Sequence, residues 1–321
     1  MTDSSLAELS DNLFSVSVAL YSVALLAFCA QLAFGRRTQR SRELAGVGGG
    51  PVPPAAPAVP AGHDAPETAW GTRWGLLGMA LTALGALAHA GVLVARGMAT
   101  DRLPWGNMYE FATAVVLVAV VAYFVLAVRQ PSLRHIGVFV LGPVILAMVG
   151  IGLFLYTEAG PLVAALRSSW LGIHVSSAIL GSGIFLVSGI ASALYLVRTR
   201  RDAGAGGTGG GLIDRLPSAA GLDRVAHRTA VFGFPIYTFA MIAGAIWAES
   251  AWGRFWGWDP KETWMFISWV VYAGYLHART TAGWRGRPAA LVNVIGLAVV
   301  LFNLLYVNMV STGLHSYGGL D

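Results

Sequence analysis

Charged side chains are scarce in this sequence, 12% against 56% apolar ones, and that shortage excludes an ordinary soluble surface, where about a quarter of residues are charged. Cysteine is scarcer still. Cys29, the only one, lies inside an apolar run, so no disulfide can form within the chain and no C-x-x-C-H attachment site exists in it. It reads as a small packing residue. No Lys or Arg precedes Arg36, so the first apolar run lacks the positive n-region of a signal peptide and reads as a true membrane span.

What the sequence does have is a series of apolar runs of about 20 residues, the length a helix needs to cross hydrocarbon. Backbone polar groups must pair internally there, and runs this long and uniform are not barrel strands. The expected fold is an all-α, polytopic integral membrane protein with eight transmembrane helices, at 13–34, 74–95, 108–128, 136–156, 170–197, 229–248, 264–280 and 289–309. Arginine sets the orientation. Arg36, Arg37, Arg40, Arg42 and Arg73 follow span one, Arg129 and Arg134 follow span three, six arginines from Arg198 to Arg228 follow span five, and Arg279, Arg285 and Arg287 follow span seven. The opposite side holds only Arg96, Arg102, Arg167, Arg254 and Lys261. The positive-inside rule puts the first set in the cytoplasm and both termini outside. The net charge of +5 follows from this topology and implies no nucleic-acid partner.

Three regions are expected: an N-terminal transmembrane helix (1–34), a disordered cytoplasmic linker rich in Gly and Pro (35–72), and a membrane domain (73–321) with a glycine-rich cytoplasmic insertion at 201–220. No internal repeat is visible.

Between spans six and seven, on the expected outer side, "WGRFWGWDPKETW" (252–264) concentrates tryptophan beside charge. An aromatic belt accounts for Trp247 and Trp264, which flank spans. It accounts less well for Trp252, Trp256 and Trp258, which alternate with glycines and charges. Asp259, Pro260 and Glu262 read as N-cap, first helical residue and N3 of a capping box, with direct ligand contact as the alternative. Flat aromatic walls rimmed by Arg254 and Lys261 suit a planar apolar ligand bearing carboxylates, a porphyrin with propionates better than a quinone or lipid.

Histidines narrow this. His174 ("SSWLGIHVSS") and His315 ("STGLHSYGG") share the depth of the tryptophan loop. Each alone reads as an interfacial hydrogen-bonding group, and as a pair they read as axial ligands of a six-coordinate haem iron. His277 lies in the inner half of span seven, a functional ionisable group or one snorkelling beside Arg279. His89 reads as a structural hydrogen-bonding residue, and His63, His135 and His227 as solvated loop residues. In "RLPWGNMYEFATA" (102–114), Asn107 and Glu110 again have capping-box spacing, and Trp105 and Tyr109 can extend the aromatic platform.

Trp252-Gly253, Trp256 and Trp258-Asp259-Pro260-Lys261-Glu262-Thr263-Trp264 resemble the WWD signature of the haem-handling proteins of cytochrome c maturation, most of all the CcsA/ResC type of system II. "LPWGNMYEF", "WLGIHVSS", "YLHART" and "GLHSYG" resemble further family segments, so the likeness covers roughly residues 74–317. It implies a haem lyase or synthase with a part in haem export. Haem b is then substrate and ligand, held at the external tryptophan segment (249–264) by His174 and His315, with a second haem position at His277. Trp252, Trp256, Trp258, Asp259, Arg254, Lys261 and Glu262 are the implied binding residues. The implied partners are a ResB-type protein, an apocytochrome c, thiol-reducing proteins and the bilayer of the cell membrane. The alternatives are a system I handler that loads a haem chaperone and, from another class, a b-haem or quinone electron-transfer subunit.

Overall fold

The structure is a computed structural model and describes residues 3–34, 68–160, 168–204, 213, 216–308, 310–311 and 313–315. Of the expected linker at 35–72 only 68–72 is described, and of the insertion at 201–220 residues 205–212 and 214–215 lie outside the described residues.

Every regular element described is helical. Eight α-helices follow in order: α1 (Ser4–Phe34), α2 (Ala69–Thr100), α3 (Met108–Arg129), α4 (Gly137–Phe154), α5 (Ser169–Ala203), α6 (Ala219–Trp252), α7 (Pro260–Thr280) and α8 (Arg287–Phe302). A 3₁₀ segment, Pro131–Ile136, joins α3 to α4, and a π-helical turn, Asn303–Val307, prolongs α8. Side-chain caps start most of them: Thr68, Asn107, Ser168, Ser218 and Asp259 each accept a backbone N–H of the first turn. Such a cap is worth about 1 kcal/mol. Gly253, at φ 71°, ends α6 in the left-handed conformation that glycine adopts without strain.

Seven helical segments are long and apolar enough to cross a membrane, and the protein is a multi-pass membrane protein. The difference from the eight spans expected is α7. It has the length, 21 residues, but its tryptophans, tyrosines and terminal charges lower its hydropathy. Large apolar residues face outward along the other helices, Leu87 at 69% and Leu146 at 74% exposed. Lipid, not water, explains such a surface.

The interior has two main clusters. Around Tyr21, Phe28, Val120, Tyr123, Leu141 and Met148, the closely paired helices α1 and α2 pack against α3 and α4. Phe185, Tyr237, Tyr272, Tyr275 and Val300 join α5 through α8, and the Phe185 and Tyr272 rings stack at 3.5 Å. The helix-to-helix fit depends on small residues. A Cβ on Gly78 of α2 would lie 2.7 Å from Phe28, and one on Gly181 of α5 would lie 3.1 Å from Tyr237. Buried Asn293 of α8 donates to Ser188 and Ser192 of α5, a polar tie between helices of the kind found within bilayers. This packing leaves the 102–107 and 253–259 loops at one end of the bundle, on either side of a cleft.

Candidate functional site

The cleft measures about 1080 Å³, open mouth included, and is walled by α3, α5, α6, α7 and the π-turn after α8. His174, Trp256, Lys261, Glu262 and His315, far apart in sequence, all line it.

His174 stands in the second turn of α5. Its Nδ1 lies 2.8 Å from the carbonyl oxygen of Ala240 on α6. A carbonyl can only accept, so Nδ1 carries the proton and the lone pair is on Nε2. Close approach to α6 depends on Gly244, where a Cβ would sit 2.6 Å from the imidazole. One turn further, Trp247 stacks on the same ring, centroids 5.9 Å apart and planes within 10°.

His315 follows the π-turn. Its Nδ1 lies 2.8 Å from Oδ1 of Asp259, and the Leu314 N–H donates to Oδ2 of the same carboxylate. This pairing also assigns the lone pair to Nε2, as in the carboxylate–histidine pairs that support metal ligands. The ring meets Trp252 edge-on at 4.8 Å and Trp247 at 5.7 Å. Burial raises the pKa of Asp259, but the hydrogen bond from His315, with the N–H groups of Lys261 and Leu314, outweighs it and holds the carboxyl at about 2. Asp259 therefore acts behind His315 while it caps α7 in a complete capping box with Glu262.

Trp247 is the residue that sequence reasoning misplaced. Assigned there to an interfacial belt, it is 1% exposed and touches both imidazoles. The available signal was the register of α6: Ala240, Gly244 and Trp247 fall at i, i+4 and i+7, one helix face.

The other residues divide between the cleft and its frame. Arg254 donates to both oxygens of Glu262, at 3.0 and 3.4 Å, and its guanidinium lies over Trp252 at 5.7 Å. The Gly257 N–H completes the set on Glu262 at 2.8 Å. Trp258 is 65% exposed, outside the cleft, edge-on to Trp256 and Phe266. Its φ of 59° costs about 1–2 kcal/mol for a residue with a Cβ, so the turn after Gly257 is held by its surroundings.

The loop on the opposite side is built the same way. Arg102 donates to both oxygens of Glu110, the Gly106 N–H donates to Oε2 at 2.7 Å, and Asn107 caps α3 by accepting the Glu110 N–H. In both loops the arginine stands eight residues before the glutamate and the cap three before it, with a Trp-Gly pair between. The match eluded sequence reading because the Trp-Gly pair is shifted by one position and the flanking residues differ. Arg96 adds a second cation on Glu110 at 3.1 Å. Trp105 lines the cleft, whereas Tyr109 is buried against Phe14 and Arg96, away from it.

His277 is not part of this assembly. It is exposed on the outer surface of α7, about 24 Å along the helix from Lys261. His89 is fully buried, with Nδ1 3.2 Å from the Tyr21 hydroxyl. Among the described residues no group of three or more His, Cys, Asp or Glu could hold a bare metal ion. What the cleft offers is two imidazoles, each with Nδ1 held by an acceptor, against one indole and within aromatic walls.

The model of the family described as Cytochrome C assembly protein matches residues 105–315, from Trp105 of the first loop to His315. This chain belongs to the cytochrome c assembly protein family. The cytochrome c biogenesis protein CcsA of Gloeobacter violaceus is 35% identical over 296 residues, covering 76% of this chain and 87% of that protein. CcsA of Synechococcus elongatus is 36% identical over 287 residues, 75% and 87% of the two chains. Among solved structures, the cytochrome c heme lyase CcmF superposes with a TM-score of 0.61 over 95% of this chain at 16% identity. That likeness concerns the fold. The chain spans about half of CcmF, 47% of its length.

Proposed function

We propose that this family member binds haem b as its substrate in the cleft, with His174 and His315 as axial ligands and Trp252 and Trp256 beside the macrocycle, and presents it to an apocytochrome c. The observation that carries this reading is the pairing of both Nδ1 atoms. Each is held by an acceptor, so each imidazole is set to offer Nε2, and both rings rest on the indole of Trp247.

The reaction is thioether formation of the system II type. At each vinyl group the cysteine S–H of a C-x-x-C-H segment adds across the double bond, sulfur to the carbon next to the ring and hydrogen to the terminal carbon. Atoms balance without an oxidant. The single cysteine of this chain lies in α1, so the thiols come from the substrate, kept reduced by thiol-reducing proteins. The protein's contribution is to hold the reactants together, an effect that supplies up to about 7–11 kcal/mol. The substrate's own histidine then displaces one of the two ligands. The cleft faces the extracytoplasmic side of the cell membrane, as the arginine distribution indicates. His277, exposed on α7, is the second haem position and takes its opposing ligand from a ResB-type partner during export.

Maturation of a client cytochrome c in cells tests the ligand assignment. Yield falls about 10- to 100-fold in His174→Ala and in His315→Ala, and added imidazole restores part of it. Wild-type yield from both variants without imidazole refutes the assignment.

A further inference from the structure

Two cations lie close to the site, Lys261 in the lining of the cleft and Arg254 against the lining residue Glu262, and their surroundings differ. The charge of Arg254 is already balanced, because its guanidinium lies on the Glu262 carboxylate. Lys261 has no carboxylate within ion-pair distance among the described residues. Its Nζ donates to two neutral acceptors of the turn after α8, the carbonyl oxygen of Asn303 at 3.1 Å and Oδ1 of Asn308. The two acids nearest in sequence are engaged elsewhere, Glu262 by Arg254 and the Gly257 N–H, and Asp259 by His315 and the N–H groups of Leu314 and Lys261. An ammonium has three N–H donors, so one donor remains, and no carboxylate contacts the charge, which Asp259 offsets only at longer range. The third flank of Nζ is the Phe111 ring, its centroid 6.0 Å away.

The choice of residue adds to this. Lys261 is the single lysine among 21 basic residues; every other position uses arginine. A lysine places a compact point charge where a planar guanidinium fork does not fit. A charge without a counter-ion at the wall of an apolar cleft is costly by itself, and an arriving anion offsets that cost.

We propose that Lys261 is the anchor for a carboxylate of the ligand that enters the cleft, and that Arg254 is not. The inference rests on the haem reading, in which that carboxylate is a propionate. It fixes the sense in which the macrocycle enters. The propionate edge lies at the junction of α7 with the π-turn, and the vinyl edge, across the ring, points away from it toward the incoming thiols.

The test is absorbance titration of the purified full-length chain with two probes, haem and haem dimethyl ester, in which the two propionate carboxylates are replaced by neutral methyl esters. Wild type should prefer the diacid by about tenfold or more, the size of one charge-assisted hydrogen bond. In Lys261→Met that preference should vanish while the ester still binds, and in Arg254→Gln it should persist. If Lys261 serves only to brace the π-turn, Lys261→Met weakens both probes equally and keeps the preference, which overturns the proposal. So does loss of the preference in Arg254→Gln alone. If wild type binds neither probe, the haem reading falls together with this one.

Discussion

At the scale of single residues, the position of His174 depends on one hydrogen atom. Gly244 is the only residue type that lets the imidazole approach α6 closely enough to donate to the Ala240 carbonyl, because a Cβ there would lie 2.6 Å from Nδ1 and Cε1. Gly244→Ala should therefore push the ring out of line while the helix itself gains slightly in propensity. The expected outcome is a loss of haem affinity of about tenfold or more, with thermal stability within about 1 kcal/mol of wild type. Titration and thermal unfolding of the same preparation read both quantities. An unchanged affinity would show that the Ala240 tie does not orient a ligand.

At the scale of elements, the two loops share one device: each glutamate gathers an arginine, a glycine N–H and a helix cap. Gly257 shows how tightly this is packed: a Cβ there would collide with the guanidinium of Arg254. Gly257→Ala is expected to evict Arg254 and leave Glu262, 7% exposed, without its counter-ion. The cost is about 1–3 kcal/mol, seen as a lower unfolding temperature and as faster proteolysis within 253–259. Unaltered stability and cleavage would mean that the arginine is dispensable to the loop. The caps behind this arrangement were legible in the sequence, since Asp259 with Glu262 and Asn107 with Glu110 carry their own spacing. The arginine and glycine contacts to those glutamates were not, because they depend on how the chain turns between residues.

At the scale of the whole molecule, the all-α membrane fold was legible because hydrocarbon permits few alternatives to a helix and each span advertises its length. The weakest of the expected spans, α7, is the one whose start is given over to the site. Its tryptophans and charges lower its hydropathy, and two of those charges, Lys261 and Glu262, line the cleft. The convergence of His174 and His315 was suggested by their shared depth. The residue that joins them, Trp247, was not, because which face of α6 meets α5 is set by packing over Gly181, Gly233 and Gly244. The same limit applies to the cations of the rim, which look equivalent in the sequence and are distinguished only by their partners.

The most direct test of the central claim is the absorbance spectrum of haem bound to the purified protein, oxidised and reduced, for wild type and for the double variant His174→Ala/His315→Ala. The account predicts a low-spin bis-imidazole spectrum in wild type and its loss from the cleft haem in the double variant, with recovery when free imidazole is added. A double variant that retains the wild-type spectrum and haem content without imidazole would contradict it.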